Sequence, residues 1–322
     1  MTNRYVYDVE LAPLLGSTFQ PTGFPDIGAA VFNRFEDGKE IPSLLVESVQ
    51  SMANRLEATA WNIAANAPRD EVSGLPWVRV VRSGTDDFLT SSRLEAHRLA
   101  SPFVHTATLN GKTIRSLIAE RMNLTKDTPL DRARIVRTVA ELDPFCLLHG
   151  VFFAHKDWLG QPRFPRVTSA VIEAHHVQKA VSGGRKADIV RHQLDKDGDG
   201  GGTSEGYGSV PFTRVEWTAK EIVASFAVDV GLIRSYGLPQ SATELLESLA
   251  LWEIRQFLDG DLRLRTACDL EMISETRPRR DTTPPLPSAT ELEQRITAGL
   301  AAAAGSFGDG EPITVEWSGK KS

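Results

Sequence analysis

A stripe of apolar residues near the N-terminus predicts the first α-helix, from Leu44 to Ala65. The stripe consists of Leu45, Val49, Met52, Leu56 and Ile63. These residues recur at spacings of three, four or seven, which is typical of one buried helix face. Pro42 and Ser43 are residue types that suit the N-terminal end of a helix.

The remaining apolar patterns alternate irregularly between helical and extended segments. The predicted strands are residues 4–11, Trp77–Arg82, Phe145–Ala154, Val167–Val177, Phe212–Trp217, Leu262–Leu270 and Ile313–Trp317. The further predicted helices are Ser91–Leu99, Gly111–Met122, Pro129–Leu142, Lys220–Val230, Ala242–Leu258 and Ala289–Ala304. An irregular order of this kind favours an α+β fold over a regular parallel βαβ array.

The polar side of the first helix is unusual because it carries few full charges. It presents Ser48, Gln50, Ser51, Asn54 and Arg55. Residues four apart share a helix face, and amides and hydroxyls beside one guanidinium suit contacts to a sugar–phosphate backbone. The alternative is a polar face buried against another loop, for example the Gly- and Pro-rich segment from Gly16 to Gly28. The residues alone leave both interpretations open.

The chain of 322 residues has a net charge of −6, which argues mildly against a general polyanion binder. The charge is uneven: both ends are acidic, and the stretch 151–194 is basic and contains four histidines. Cys146 and Cys268 are the only cysteines. They favour buried thiols in a reducing cytoplasm over a disulfide framework or a zinc site. We see neither a signal peptide nor an apolar run long enough for a membrane span.

The basic middle of the chain mixes arginines with glycines, which together are the usual groups for phosphate contacts. The candidates are Arg163, Arg166, Gly183, Gly184, Arg185 and Lys186, with Phe164 and Tyr207 as aromatic residues for base stacking. The alternative is a solvated strand edge protected by lysine and arginine.

Catalytic and metal-binding patterns are weak. The DKDGDGGG segment begins like a calcium-binding loop at Asp195, but Gly206 stands where that loop needs a bidentate glutamate. His175 and His176 are adjacent in a predicted strand, so they point to opposite faces and do not readily share a metal. No zinc-protease, hydrolase or phosphate-loop motif occurs in the sequence. We therefore expect no cofactor, no metal site and no catalytic residue.

Six motifs in order resemble the CRISPR-associated RAMP backbone subunit of type I effector (Cascade-like) complexes, in the branch called I-U or I-G. They are FQPTGFPDIG, ESVQSMANRLE, AHRLASP, DPFCLLHGVFF, GYGSVPFTRVEW and LRLRTACDLE. The resemblance runs from about Leu14 to Glu271.

The resemblance implies an RRM-like (ferredoxin-like) palm over residues 1–276 with two insertions. A helical finger occupies about residues 83–142 and a thumb hairpin about residues 178–210. Residues 277–322 fall outside the resemblance and are expected to form a Pro-rich linker and an acidic C-terminal tail. Copies of such subunits polymerise along the guide RNA.

The resemblance also implies an RNA-binding role for further residues: His97 and Arg98, and Gln20 and Arg214 from the first and fifth motifs. The expected partners are the guide RNA, further copies of the chain, other effector subunits and, through the guide, target DNA. The expected role is structural and non-catalytic, in the cytoplasm and away from membranes. A metal-dependent endoribonuclease of the same superfamily is the alternative.

Overall fold

The computed structural model describes residues 3–24, 28–187 and 209–319. The strands are β1 (Tyr5–Pro13), β2 (Gly23–Phe24), β3 (Gly28–Ala29), β4 (Val31–Glu36), β5 (Lys39–Glu47), β6 (Trp61–Asn62), β7 (Ala67–Pro68), β8 (Trp77–Arg82), β9 (Phe88–Ser91), β10 (Thr108–Leu109), β11 (Lys112–Thr113), β12 (Val151–Phe152), β13 (Arg163–Phe164), β14 (Thr168–His175), β15 (Gln178–Ala187), β16 (Ser209–Thr218), β17 (Glu221–Val228), β18 (Leu262–Arg265), β19 (Cys268–Met272), β20 (Arg277–Pro278) and β21 (Pro312–Trp317). The helices are α1 (Val49–Ala58), α2 (Pro102–His105), α3 (Ile114–Arg121), α4 (Arg132–Leu142), α5 (Phe145–His149), α6 (Val230–Ser235), α7 (Gln240–Asp259) and α8 (Ala289–Ala302).

The main sheet has the strand order β18-β19-β1-β17-β14-β5-β4, and β20 pairs with β1 off this path. Every pair of neighbouring strands in it is antiparallel. The chain is therefore a mixed α+β protein whose main sheet is antiparallel. If only β1, α1, β14, β17, α7 and β19 are followed, the chain order is β-α-β-β-α-β and the four strands lie side by side as β19-β1-β17-β14.

One face of the main sheet is buried under α1 and α7. Helix α1 packs on β14, α7 packs on β17, and the two helices contact each other. Alternate strand residues point into this layer, as the buried Tyr7 and Phe226 do. At its edge, the Tyr5 hydroxyl donates a 2.8 Å hydrogen bond to Glu247 of α7.

The other face of the sheet is partly exposed and acidic at β1. Asp8 and Glu10 alternate with the buried residues of that strand. Arg279 donates to both carboxylate oxygens of Asp8 at 2.6 Å, and Arg277 donates to Glu10 at 2.9 Å. The residues around β20 therefore neutralise part of this face.

The C-terminal segment packs against the rest of the chain, which corrects the expectation of a linker and tail outside the palm. Helix α8 packs on α7, and Leu292 and Ile296 of α8 are fully buried. Strand β21 lies in parallel beside β8 within a second sheet of order β11-β10-β21-β8-β9. The proposed finger region 83–142 contributes β9 to β11 and α2 to α4. Of its strands, β9 pairs with β8 directly, whereas β10 and β11 are joined to β8 only through β21.

Several predicted elements have the wrong type or bounds. Helix α1 begins later than predicted because residues up to Glu47 form β5, whose Ser43 pairs with His175 of β14. Residues 145–149 are helical, since a short apolar run fits a buried helix as well as a strand. The segment 221–228 is a strand with alternating burial, and residues 91–99 contain only part of a 3-10 turn.

Both cysteines are buried free thiols, as predicted. Burial raises the pKa of the Cys268 thiol to about 11 and that of Cys146 well above its usual value. Both therefore remain protonated at neutral pH. Within the described ranges, no helix is both long enough and apolar enough to cross a membrane.

Candidate nucleic-acid interface

The exposed face of α1 carries two amides that the fold does not use. The Ser48 side chain caps the helix by accepting a 3.2 Å hydrogen bond from the Ser51 backbone amide. Met52 is fully buried, whereas Gln50 and Asn54 are exposed. Neither amide has a hydrogen-bond partner in the part of the chain that the structure describes. This face can therefore donate to and accept from a ligand without first breaking an internal contact.

Arg55 belongs to a partly buried ion cluster. Its guanidinium donates to the Leu264 carbonyl and lies 3.5 Å from the Glu47 carboxylate, whose side chain is 2% exposed. Arg265 also donates to Glu47, and through its other nitrogen to the Gln20 carbonyl at 3.1 Å. Arg55 thus contacts its own protein as the second interpretation predicts, although its main partners are in β5 and β18.

Gln20 and Arg214 lie together at the base of the β15–β16 hairpin. Arg214 donates to the Gln20 side chain at 3.1 Å and pairs with Glu216 at 3.0 Å. The chain around Gln20 is held to the hairpin by two backbone hydrogen bonds between Phe19 and Trp217. A groove beside them is lined by Gln20, Thr22, Lys179, Arg214 and Trp217. The Lys179 ammonium lies 5.6 Å from the centre of the Trp217 ring. Trp217 is 5% exposed, so the exposed Lys179 is the member of this pair that a ligand in the groove can reach.

The Gly183–Lys186 segment, which holds four of the candidate phosphate contacts, is part of strand β15. Gly183 pairs with Thr213 and Lys186 with Val210 across the hairpin. The backbone of Gly184 and Arg185 continues the same ladder. Tyr207 and the DKDGDGGG segment lie outside the described residues.

Arg98, for which we expected an RNA-binding role, is buried and bound by groups of its own chain. Its side chain is 7% exposed and forms two 2.7 Å hydrogen bonds with the Glu57 carboxylate. A third hydrogen bond, of 2.9 Å, reaches the Gly150 carbonyl. Its neighbour His97 is exposed and remains available to a ligand.

Arg163 and Arg166 are exposed, and neither has an ion-pair or hydrogen-bond partner among the described residues. Phe164, expected to stack on bases, is instead buried at 8% exposure. Its backbone is part of β13, where it pairs with Val151. The two arginines therefore remain candidates for phosphate contacts, and Phe164 does not remain one for stacking.

The histidines form no metal site in the described ranges, where no cluster of three or more metal-binding side chains occurs. His175 is buried and 3.0 Å from the Ser43 hydroxyl. His176 is exposed and lies beyond the end of β14, at a φ of +54°, so the two are not consecutive strand residues as predicted. Burial, with a contribution from Arg34, lowers the pKa of His175. His149 is buried against Glu253 at 2.8 Å between α5 and α7.

Sequence reasoning missed Lys179 and Arg265, and the buried Trp217 and Glu47 that they contact. Arg265 could have been found from the alternation in LRLR, because this pattern places Arg263 and Arg265 on the same side of one strand. Lys179 and Trp217 are a directly paired couple in the hairpin. Predicting that these two residues pair requires the register of the two strands, which the sequence pattern does not reveal.

One family model matches this chain. The model of the family described as CRISPR-associated protein GSU0053 matches residues 6–179. No curated protein matches the chain. A solved chain from "CRISPR RNA-guided surveillance complex, pre-nicking" is similar at 13% identity and a TM-score of 0.41, over 84% of this chain and 73% of that one. Another, "Crystal structure of Thermofilum pendens Csc2", is similar at 10% identity and a TM-score of 0.32, over 94% and 77%. Since the family model covers more than half of the chain, this protein belongs to the CRISPR-associated protein GSU0053 family.

Proposed function

We propose that this protein is a non-catalytic structural subunit that polymerises along CRISPR guide RNA. It forms the backbone of a type I effector complex, in the I-U or I-G branch, and presents the guide for pairing with target DNA. Its partners are the guide RNA, further copies of itself and other effector subunits, in the cytoplasm. The membership in a CRISPR-associated family supports the biological setting, and the surface chemistry supports the ligand.

The order of strands and helices supports an RRM-like palm. The unit β1-α1-β14-β17-α7-β19, with β1 and β17 as its central strands, has the β-α-β-β-α-β connection of ferredoxin-like folds. The β15–β16 hairpin is the proposed thumb, although it extends to Thr218. Helices α2 to α4 belong to the proposed finger.

One observation supports RNA as the ligand. Uncharged amides and arginines without a partner among the described residues lie on exposed surfaces, although the chain as a whole is acidic. Gln50 and Asn54 on α1 and Arg163 and Arg166 near β13 have no partner among the described residues. Groups of this kind contact phosphate and sugar without reading sequence. An acidic chain needs such a track because its average surface repels a polyanion.

The decisive experiment is expression without tagged partners followed by extraction of the nucleic acid that copurifies. We expect a discrete small RNA. In binding assays the logarithm of the affinity for single-stranded RNA should fall with the logarithm of salt, by about 0.7 for each phosphate neutralised. Light scattering should detect several copies on a long RNA. An affinity that does not change with salt, or one copy per long RNA at saturation, would refute the proposal.

Cleavage needs a separate control. The purified protein is incubated with labelled RNA in the presence of Mg²⁺ or EDTA. We expect intact RNA in both reactions. Cleavage that requires Mg²⁺ and persists through further purification would replace the structural role with the endoribonuclease alternative.

A further inference from the structure

The short β12–β13 hairpin presents one aromatic side chain to solvent. Phe152 is 52% exposed and is paired directly with the exposed Arg163, so both side chains lie on the same face of the ribbon. The other pair, Val151 and Phe164, is buried. One face of the hairpin is thus fixed in the core, and the other holds an aromatic ring beside a guanidinium.

The hairpin is held rigidly. Phe153 is fully buried and its backbone amide donates to the Pro162 carbonyl at 3.1 Å. Gly150, which precedes β12, has a φ of +80°, and a Cβ there would lie 2.7 Å from the Phe164 carbonyl oxygen. The Gly150 carbonyl in turn accepts from Arg98. Phe152 therefore needs little further ordering when it binds a ligand.

The segment that contains Phe152 is positively charged. Lys156, Arg163 and Arg166 are exposed. The only acidic residue between Gly150 and Val167 is Asp157, which pairs with Arg115 at 3.1 Å. A protein partner would favour further apolar residues around the ring, whereas a nucleic acid favours an aromatic ring flanked by cations.

We propose that Phe152 stacks on a base of single-stranded RNA while Arg163 and Arg166 bind the adjoining phosphates. Every base has a π face, so this contact requires no particular sequence. The proposal rests on the proposed RNA-coating function and assigns to it a base-contacting residue. Phe152 takes the base-stacking role that we had expected of Phe164.

The test compares Phe152→Ala with Phe35→Ala in the full chain. Phe35 is 74% exposed but lies on β4 in the main sheet, so it controls for loss of an exposed phenylalanine. The ligand is single-stranded RNA that contains the fluorescent base 2-aminopurine. We expect Phe152→Ala to weaken binding by about 5- to 150-fold, the range for loss of one stacked base. It should also relieve the quenching of 2-aminopurine, and Phe152→Trp should restore both, while Phe35→Ala changes neither.

The outcomes separate this inference from the proposed function. Unchanged affinity and quenching in Phe152→Ala, with the parent protein binding RNA, would overturn the stacking role alone. Fewer copies per RNA with unchanged quenching would overturn it in favour of a contact between neighbouring copies. Failure of the parent protein to bind any RNA would remove the proposed function and this inference together.

Discussion

Replacement of Arg98 by alanine is the most informative perturbation, because it separates a structural arginine from an RNA-binding one. Arg98 joins three parts of the chain. Its guanidinium contacts Glu57 on α1 and the Gly150 carbonyl before the β12–β13 hairpin. Burial opposes its charge, but the Glu57 carboxylate more than offsets this effect and raises the pKa of Arg98. The residue therefore stays charged throughout the accessible pH range.

The expected cost follows from what the substitution leaves behind. The Glu57 side chain is 10% exposed and would lose both of its 2.7 Å hydrogen bonds. Removal of one partner of a buried ion pair costs about 3–5 kcal/mol. The Gly150 carbonyl would also lose its donor, but the two effects share one side chain and do not add independently. We expect the free energy of unfolding to fall by about 3–5 kcal/mol.

The assay is urea denaturation of the full chain, with His97→Ala as the matched control. His97 precedes Arg98 and is exposed, so its removal should change stability by less than about 0.5 kcal/mol. RNA affinity is then measured where each variant remains folded. If Arg98→Ala is as stable as His97→Ala but binds RNA more weakly, Arg98 contacts RNA and its assignment as a brace between α1 and the hairpin is wrong.

Three further predictions concern other parts of the fold. Arg265→Ala should lower the melting temperature more than Arg55→Ala, since Arg265 holds both the buried Glu47 and the chain at Gln20; equal or reversed shifts would contradict this ordering. Deletion of residues 281–322 removes α8 and β21, so we expect loss of cooperative unfolding, and an unchanged thermal transition would show that the second sheet does not need β21. The lowered pKa of His175 favours its neutral form in the folded state. Its contribution to stability is therefore complete above its unfolded pKa of about 6.5 and is lost as the pH falls below that value. In His175→Asn we expect the melting temperature to fall less over this pH range than it does in the parent protein. A plot of melting temperature against pH that runs parallel to that of the parent would refute this prediction.

The fold could be predicted where one local pattern decided the outcome. Helix α7 and strand β14 lie within a few residues of their predictions because their patterns are long and regular. The segment Glu221–Val228 was predicted as a helix, although its residues alternate between buried and half-buried positions as a strand requires. The apolar run at Phe145 was ambiguous because every residue of α5 is buried, which removes the periodicity.

The site depended more on contacts that sequence spacing does not reveal. Gln50 and Asn54 were predicted correctly to share one helix face because residues four apart on a helix share a side, but the sequence left open whether that face is exposed. The ion pair of Arg98 was not predicted because its partner Glu57 lies 41 residues away in the sequence. Arg265 and Glu47 are separated by 218 residues, and only the antiparallel sheet brings them together.

The charges also bear on where the proposed RNA ligand would lie. RRM modules stack bases on aromatic residues of the open sheet face, but the open face of this main sheet carries Asp8 and Glu10 at β1, each paired with an arginine. A phosphate backbone there would have to displace Arg279 from a bidentate contact and would meet the freed carboxylates. RNA binding by this chain is therefore expected on its peripheral surfaces, where Arg163 and Arg166 have no acidic partner among the described residues. An acidic protein can then bind a polyanion, since affinity depends on the cations left unpaired along the path of the ligand and not on the net charge of the chain.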